Sequence, residues 1–247
     1  MTSLPTQTGD KRLGLVIDLD TCVGCHACAT NCKEWNTGGH SAPLTDVNAY
    51  QAEQRGVWFN RVFTYEVGGQ GQDARTVHFP KNCLHCEKPD CVTVCPTGAS
   101  YKRAEDGIVL IDHDKCIGCK LCSWACPYGA RELDEHQGVM KKCTLCIDKI
   151  YNDNLPEADR VPACVATCPA KARHFGDFAD PASNVSTLVR ERGGFDLMPE
   201  TGYRPTSKYL PPRPGKRASS GAQKLEPAPN LAGAGKFLRW VDRVLSR

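Results

Sequence analysis

The residues of this chain whose type and spacing could do chemistry are its sixteen cysteines, which fall into four groups of four. Group one is Cys22, Cys25, Cys28 and Cys32; group two is Cys83, Cys86, Cys91 and Cys95. Group three is Cys116, Cys119, Cys122 and Cys126. Group four is Cys143, Cys146, Cys164 and Cys168, with a longer insert between its second and third members. Each group closes with three residues before its last cysteine, and no cysteine is left over. A repeat of this kind is an organising unit. Three cysteines at two-residue spacing can wrap one iron-sulfur cubane, because the backbone between them curls round it with its amides toward the sulfurs. The fourth, followed by Pro, ligates a neighbouring cluster, so such motifs work in pairs and four of them predict four 4Fe-4S clusters.

Zinc and disulfides are the competing uses of so many thiols. Structural zinc sites join two separated Cys-x2-Cys knuckles. Group four alone resembles that, whereas groups one and three put three cysteines on one loop. Disulfides are disfavoured by the reducing cytosol, and the cytosol is the expected place of synthesis: the N-terminal stretch shows neither an apolar signal core nor a twin-arginine pair.

Other residues sit close to the ligands. His26 and His85 lie inside cysteine loops, and Lys120 and Trp124 inside group three. They could tune a cluster through charge, hydrogen bonds or water exclusion, or the histidines merely cover a sulfur or face solvent. Pro96, Pro127 and Pro169 fix φ directly after a ligand, a structural role that suffices. Group one has Lys33 there instead, and Lys33, Glu34 and Trp35 either contact a partner or shield the loop. No catalytic residue is expected.

The elements that must hold these loops read as α+β. Leu13 to Asp20 and Gly107 to His113 are β-rich runs, each feeding a cysteine loop. Val57 to Tyr65 and Arg75 to Phe79, around a Gly-rich turn at Gly68 to Gly71, predict an inserted hairpin. After the cysteine groups only short helical turns fit, since proline follows three of the four closing cysteines. From about Asp180 Pro, Gly, Ser and Lys accumulate, predicting an extended arm. At its end Phe237, Leu238, Trp240, Val241, Val244 and Leu245 recur at helical spacing against Lys236, Arg239, Arg243 and Arg247. That amphipathic helix could pack on a partner subunit or lie in a bilayer interface.

No run approaches the eighteen or so apolar residues that span a bilayer. The formal net charge is +3, and four oxidised clusters with their thiolates, roughly −2 each, would bring it to about −5. Basic residues are scattered among acidic ones, which counts against a nucleic-acid footprint, and no nucleic-acid partner is expected.

Cys83 to Cys95, then Ala99-Ser-Tyr101, Gly107 to Asp112 and Cys116 to Pro127, resembles a complete bacterial two-cluster ferredoxin. With groups one and four as a second such module, residues 12 to 180 resemble the four-cluster iron-sulfur subunits of dimethyl sulfoxide reductase-type molybdoenzymes. The resemblance implies two ferredoxin-like modules: an outer one over 12–50 and 136–180, and an inner one over 81–135. An inserted hairpin over 51–80 and an arm over 181–247 complete the chain.

It further implies that Cys22, Cys25, Cys28 and Cys168 hold cluster 1, and Cys32, Cys143, Cys146 and Cys164 cluster 2. Cys83, Cys86, Cys91 and Cys126 would hold cluster 3, and Cys95, Cys116, Cys119 and Cys122 cluster 4. Nitrate reductase-like members have Trp where this chain has Cys119, so four cubanes are implied and a nitrate reductase subunit is not. The implied partners are a molybdopterin catalytic subunit and an integral membrane anchor that exchanges electrons with quinone. The complex would lie on the cytoplasmic face of the inner membrane, or in the periplasm after co-export with a signal-bearing partner.

Cys28 to Asn36, Val57 to Val62 and Tyr209 to Arg213 look most like the iron-sulfur subunits of sulfite dehydrogenases, which oxidise sulfite to sulfate. Dimethyl sulfoxide, polysulfide, tetrathionate and thiosulfate reductases have similar subunits, and the residues that choose a substrate lie in another polypeptide. A free-standing soluble polyferredoxin is the alternative from another class. The C-terminal arm counts against it, because a permanent subunit uses such arms to bury large surfaces.

Overall fold

The computed structural model describes residues 4–7, 9–37, 57–67 and 75–213. Strand β1 (Leu13–Asp18) is buried along all but its first residue, as befits a central strand with apolar neighbours on both faces. It pairs antiparallel with β8 (Arg173–Asp177), Leu13 opposite Asp177 and Ile17 opposite Arg173. Along its other edge runs β9 (Lys208–Leu210), parallel, with Val16 opposite Lys208. One face of this sheet is covered by helix α6 (Asn184–Arg192), whose Val185, Leu188 and Val189 meet Val16 and Leu210. The other face, through Leu15 and Ile17, enters the main core with Phe79, Leu84, Ile108 and Tyr209.

A long antiparallel ribbon joins β2 (Asn60–Val67) to β3 (Arg75–Asn82), with Asn60 opposite Asn82 and Val67 opposite Arg75. Val57 to Phe59, expected as the start of that strand, are buried but lie outside the β2/β3 ladder. Side chains occupy their backbone instead: Trp58 N donates to Glu132 Oε2 at 2.9 Å, and Lys33 Nζ to the Val57 carbonyl at 3.1 Å. Two short hairpins follow, β4 (Ser100–Lys102) with β5 (Val109–Ile111) and β6 (Glu132–Asp134) with β7 (Val139–Lys141).

Most helices are short. α2 (Asp90–Thr93), α3 (Leu121–Trp124), α4 (Ile147–Ile150) and α5 (Ala163–Ala166) are single turns, and three of them, α2, α3 and α5, end two residues before a closing cysteine and its proline. α1 (Ala27–Thr37) runs eleven residues. It continues through Cys32 because Lys33, unlike proline, keeps its amide for the helix ladder.

The expectation of an extended arm from residue 181 is corrected over 184–210. Ser183 caps α6 by accepting the Ser186 amide at 3.3 Å, and Gly193 ends it at φ 64°. Both are ordinary helix signals, hidden by a helix of only nine residues with three apolar side chains. The expected terminal helix over 236–247 lies outside the described residues.

Candidate metal centres

The cysteine loops share a backbone device. Gly24 and His26 in group one, and Gly118 and Lys120 in group three, flank the second cysteine with positive φ. His85 in group two and Leu145 in group four stand just before the second cysteine, again at positive φ. These left-handed residues turn the chain round a centre, a conformation that costs a non-glycine residue about 1–2 kcal/mol. At Gly118 a side chain would also run into the Gly138 carbonyl. Thus His26, Lys120 and His85 share a bent backbone.

The fold brings cysteines from different groups together. Cys22, Cys25, Cys28 and Cys168 line one cavity, together with His26 and Arg173. Cys95, Cys116, Cys119 and Cys122 line a second. Burial raises the Cys32 thiol well above its usual range, and Cys143, Cys164 and Cys146 raise it further by their proximity. Cys86 is raised likewise by burial and then by Cys83, Cys91 and Cys126. Among the described residues no three His, Cys, Asp or Glu side chains converge tightly enough to chelate a single ion. Thiols set around a cavity suit a cubane.

The donor set also fits. Backbone amides aim at sulfur from Ser100 to Cys95, Met140 to Cys116 and Ala172 to Cys168, each at 3.3 Å. Ala163 N donates to Cys146 Sγ at 3.4 Å, and Asn36 Nδ2 to Cys32 and Cys146 at 3.6 Å each. Arg131 Nη2 donates to Cys91 Sγ at 2.9 Å, and Arg173 Nη1 to Cys164 Sγ at 3.6 Å. Hydrogen bonds to the sulfurs are a main lever on cluster potential.

Neither histidine faces solvent. His85 is fully buried and accepts the Val109 amide at Nδ1, 3.1 Å away, while its buried Nε2 meets no partner among the described residues. Burial, with Lys142, Lys102 and Arg131 nearby, holds its imidazole neutral far below the usual range. Trp124, by contrast, is 78% exposed. Lys33 is buried, with its ammonium 4.7 Å from the Trp58 ring centre, so it shields the loop from within. Trp35 is half-exposed, and its Nε1 donates to Asp148 at 2.8 Å.

Arg131, Lys142 and Arg173, all buried, were not among the residues singled out from spacing. A signal was present: Cys126-Pro-Tyr-Gly-Ala-Arg131 and Cys168-Pro-Ala-Lys-Ala-Arg173 place arginine at the same distance after a closing cysteine.

Two family models match, both described as a 4Fe-4S dicluster domain, over residues 21–100 and 74–178. A sulfite dehydrogenase subunit of Allochromatium vinosum is 64% identical over 202 residues, 82% of this chain and 84% of that one. A tetrathionate reductase subunit of Salmonella typhimurium is 36% identical, over 81% of this chain and 72% of its own length. Protein NrfC of Escherichia coli is 36% identical over 81% of each chain. This chain belongs to the 4Fe-4S dicluster family of electron-transfer subunits.

Membership accounts for the donor set. A dicluster subunit holds multiple 4Fe-4S clusters, and sixteen gathered cysteines suit four. Each cluster, when bound, takes up and releases one electron. The chain's part is to hold the thiolates, aim amides at them and exclude water. Among the described residues no helix is long and apolar enough to cross a membrane.

Proposed function

We propose that this subunit carries single electrons along clusters 1, 2, 3 and 4 in that order, between a molybdopterin catalytic subunit and a quinone-linked membrane anchor. Cys22, Cys25, Cys28 and Cys168 hold cluster 1, and Cys32, Cys143, Cys146 and Cys164 cluster 2. Cys83, Cys86, Cys91 and Cys126 hold cluster 3, and Cys95, Cys116, Cys119 and Cys122 cluster 4. The observation that carries the reading is exposure. Only Cys25 and Cys119 among the sixteen are exposed, one in the first set and one in the last, while every cysteine of the second set is buried. A relay needs its middle insulated and its two ends within reach of partners.

The ends are apolar at their rims, with Val23 beside Cys25, and Ile117, Leu121 and Trp124 around Cys119. Exposed apolar patches of this kind mark subunit contacts. The outer module spans 12–50 and 136–180 and the inner one 81–135, with the β2/β3 ribbon inserted between. The ribbon ties them: Arg173 Nη2 donates to Asn60 Oδ1 at 2.7 Å, and Arg61 Nη2 to Glu132 Oε1 at 2.6 Å. The complex oxidises sulfite to sulfate, a reading supported by the 64% identity to a sulfite dehydrogenase subunit. It stands on the cytoplasmic face of the inner membrane, where reduced thiols are the default.

Co-expression with the neighbouring genes and anaerobic addition of sulfite tests this. Sulfite should reduce the clusters and bring up their paramagnetic signals. Clusters that stay oxidised with sulfite, yet are reoxidised by tetrathionate or dimethyl sulfoxide after chemical reduction, would assign the relay to a reductase instead.

A further inference from the structure

Three cations are buried among the cysteine sets, and none has an obvious counter-charge. Arg131, Lys142 and Arg173 are each no more than 3% exposed. Among the described residues none of them has a carboxylate within ion-pair distance, although eleven other ion pairs are formed. Leaving a buried charge unpaired costs several kcal/mol as a rule. Among the described residues, two of the three also keep a buried donor without a hydrogen-bond partner, Nη1 of Arg131 and Nε of Arg173.

Their positions follow the series. Arg173 lines the cavity of Cys22, Cys25, Cys28 and Cys168, and donates to Cys164 Sγ of the next set. Arg131 donates to Cys91 Sγ at 2.9 Å and to Ser100 Oγ at 2.9 Å. Ser100 lines the last cavity and gives its amide to Cys95 Sγ, so Arg131 joins the third set to the fourth. Lys142 donates to the Cys143 carbonyl at 2.7 Å and to the Val109 carbonyl. Cys143 belongs to the second set, while the Val109 amide is bonded to His85, which stands between Cys83 and Cys86 of the third. Cys83 and Cys143 share one buried apolar cluster.

We propose that Arg173, Lys142 and Arg131 are fixed positive charges set one in each gap between successive clusters, where they hold cluster potentials up and ease repulsion between electrons on neighbouring clusters. Reduction adds a negative charge to each cluster, and a buried cation nearby favours the reduced form with little screening. Each cation contacts one set and lies close to a second, so its effect falls on two clusters at once. The thiolates and clusters in turn neutralise the cations. The idea rests on the ligand sets proposed above, and its failure reads out separately from theirs.

The test uses the co-expressed complex, with Arg173→Gln, Lys142→Met and Arg131→Gln beside the charge-keeping Arg173→Lys, Lys142→Arg and Arg131→Lys. Each is followed by iron and sulfide content and by redox titration of the paramagnetic signals. Iron should stay at the native level. Each charge-free variant should lower the reduction equilibrium constant of its two flanking clusters tenfold or more, about 59 mV for a one-electron couple, leaving the other two in place. The charge-keeping variants should restore native values. Native potentials in the charge-free variants, with four clusters intact, would overturn the charge role and leave the ligand sets standing. A shift confined to a non-flanking pair would overturn the one-per-gap placement together with the ligand sets. Where a charge-free variant loses iron, its charge-keeping partner decides: native iron and potentials uphold the proposal. Lost iron or lowered potentials there show that shape and hydrogen bonds, not charge, are what the site requires.

Discussion

Between groups two and three the strand after one closing cysteine pairs with the strand before the next loop, so that in β4 and β5 Ser100 faces Ile111 across a short turn. Around groups one and four the pair is β1 and β8, the strands before the first cysteine and after the last, with Leu13 facing Asp177. The two regions use similar cysteine loops and a buried arginine each, joined differently, and the outer one adds the longer helix α1. The first closes locally. The second closes only when nearly the whole described chain has been brought together, an entropic cost larger by roughly 2–3 kcal/mol if nothing between has folded. The outer region is therefore the later to form and the earlier to open.

The harshest way to break this comparison is to remove a closing cysteine. Cys126→Ser should cost one cluster, about four irons per chain, even though Cys126 sits in group three. Adding Cys83→Ser should cost no further iron, whereas adding Cys116→Ser should cost a second cluster. If Cys116→Ser is the substitution that adds nothing, each loop keeps its own cluster and the shared construction is wrong.

Tyr209→Ala sharpens the difference between the regions. The ring is fully buried, stacks 4.5 Å from Phe79, and its hydroxyl donates to the Pro80 carbonyl at 3.0 Å. Its loss should cost about 3–5 kcal/mol in urea unfolding. Mild chelation should then strip the clusters of groups one and four while those of groups two and three persist. Equal loss from both regions would contradict the difference in closure.

Lys33→Pro puts into group one the proline that follows the other closing cysteines. In the middle of α1 it should cost about 3 kcal/mol. Pro127→Ala in group three should cost under about 1 kcal/mol. Unfolding midpoints check both.

On acidity the regions should behave alike. Burial pushes the Cys91 thiol up to about 11 despite Arg131 beside it, and the Cys164 thiol up to about 11 despite Arg173. Ligation needs thiolates, so cluster assembly releases protons. Below those values the thiol form dominates, and reconstitution with iron and sulfide should accelerate as pH rises from about 7 to about 9, by up to roughly tenfold per unit, in both regions. A rate independent of pH would contradict it. Ser183→Ala, which removes the α6 cap, should cost about 1 kcal/mol.

The metal chemistry was legible because cysteine spacing is local: three ligands per loop are written within a few residues. The eleven-residue helix of group one departs from the short turns expected there, although Lys33 stands where proline follows the other closing cysteines. Helix α6 was not legible, because its apolar face is only Val185, Leu188 and Val189, and what makes it a helix is the sheet it covers. The buried cations escaped for a similar reason. Lysine and arginine are surface residues by default, and nothing near Lys142 in the chain shows that Val109 and Cys143 will enclose it.

The most direct test of the account is the iron, zinc and acid-labile sulfide content of the anaerobically purified protein, co-expressed with its partners. About sixteen irons and sixteen sulfides per chain are expected. About four zincs with no sulfide would contradict it.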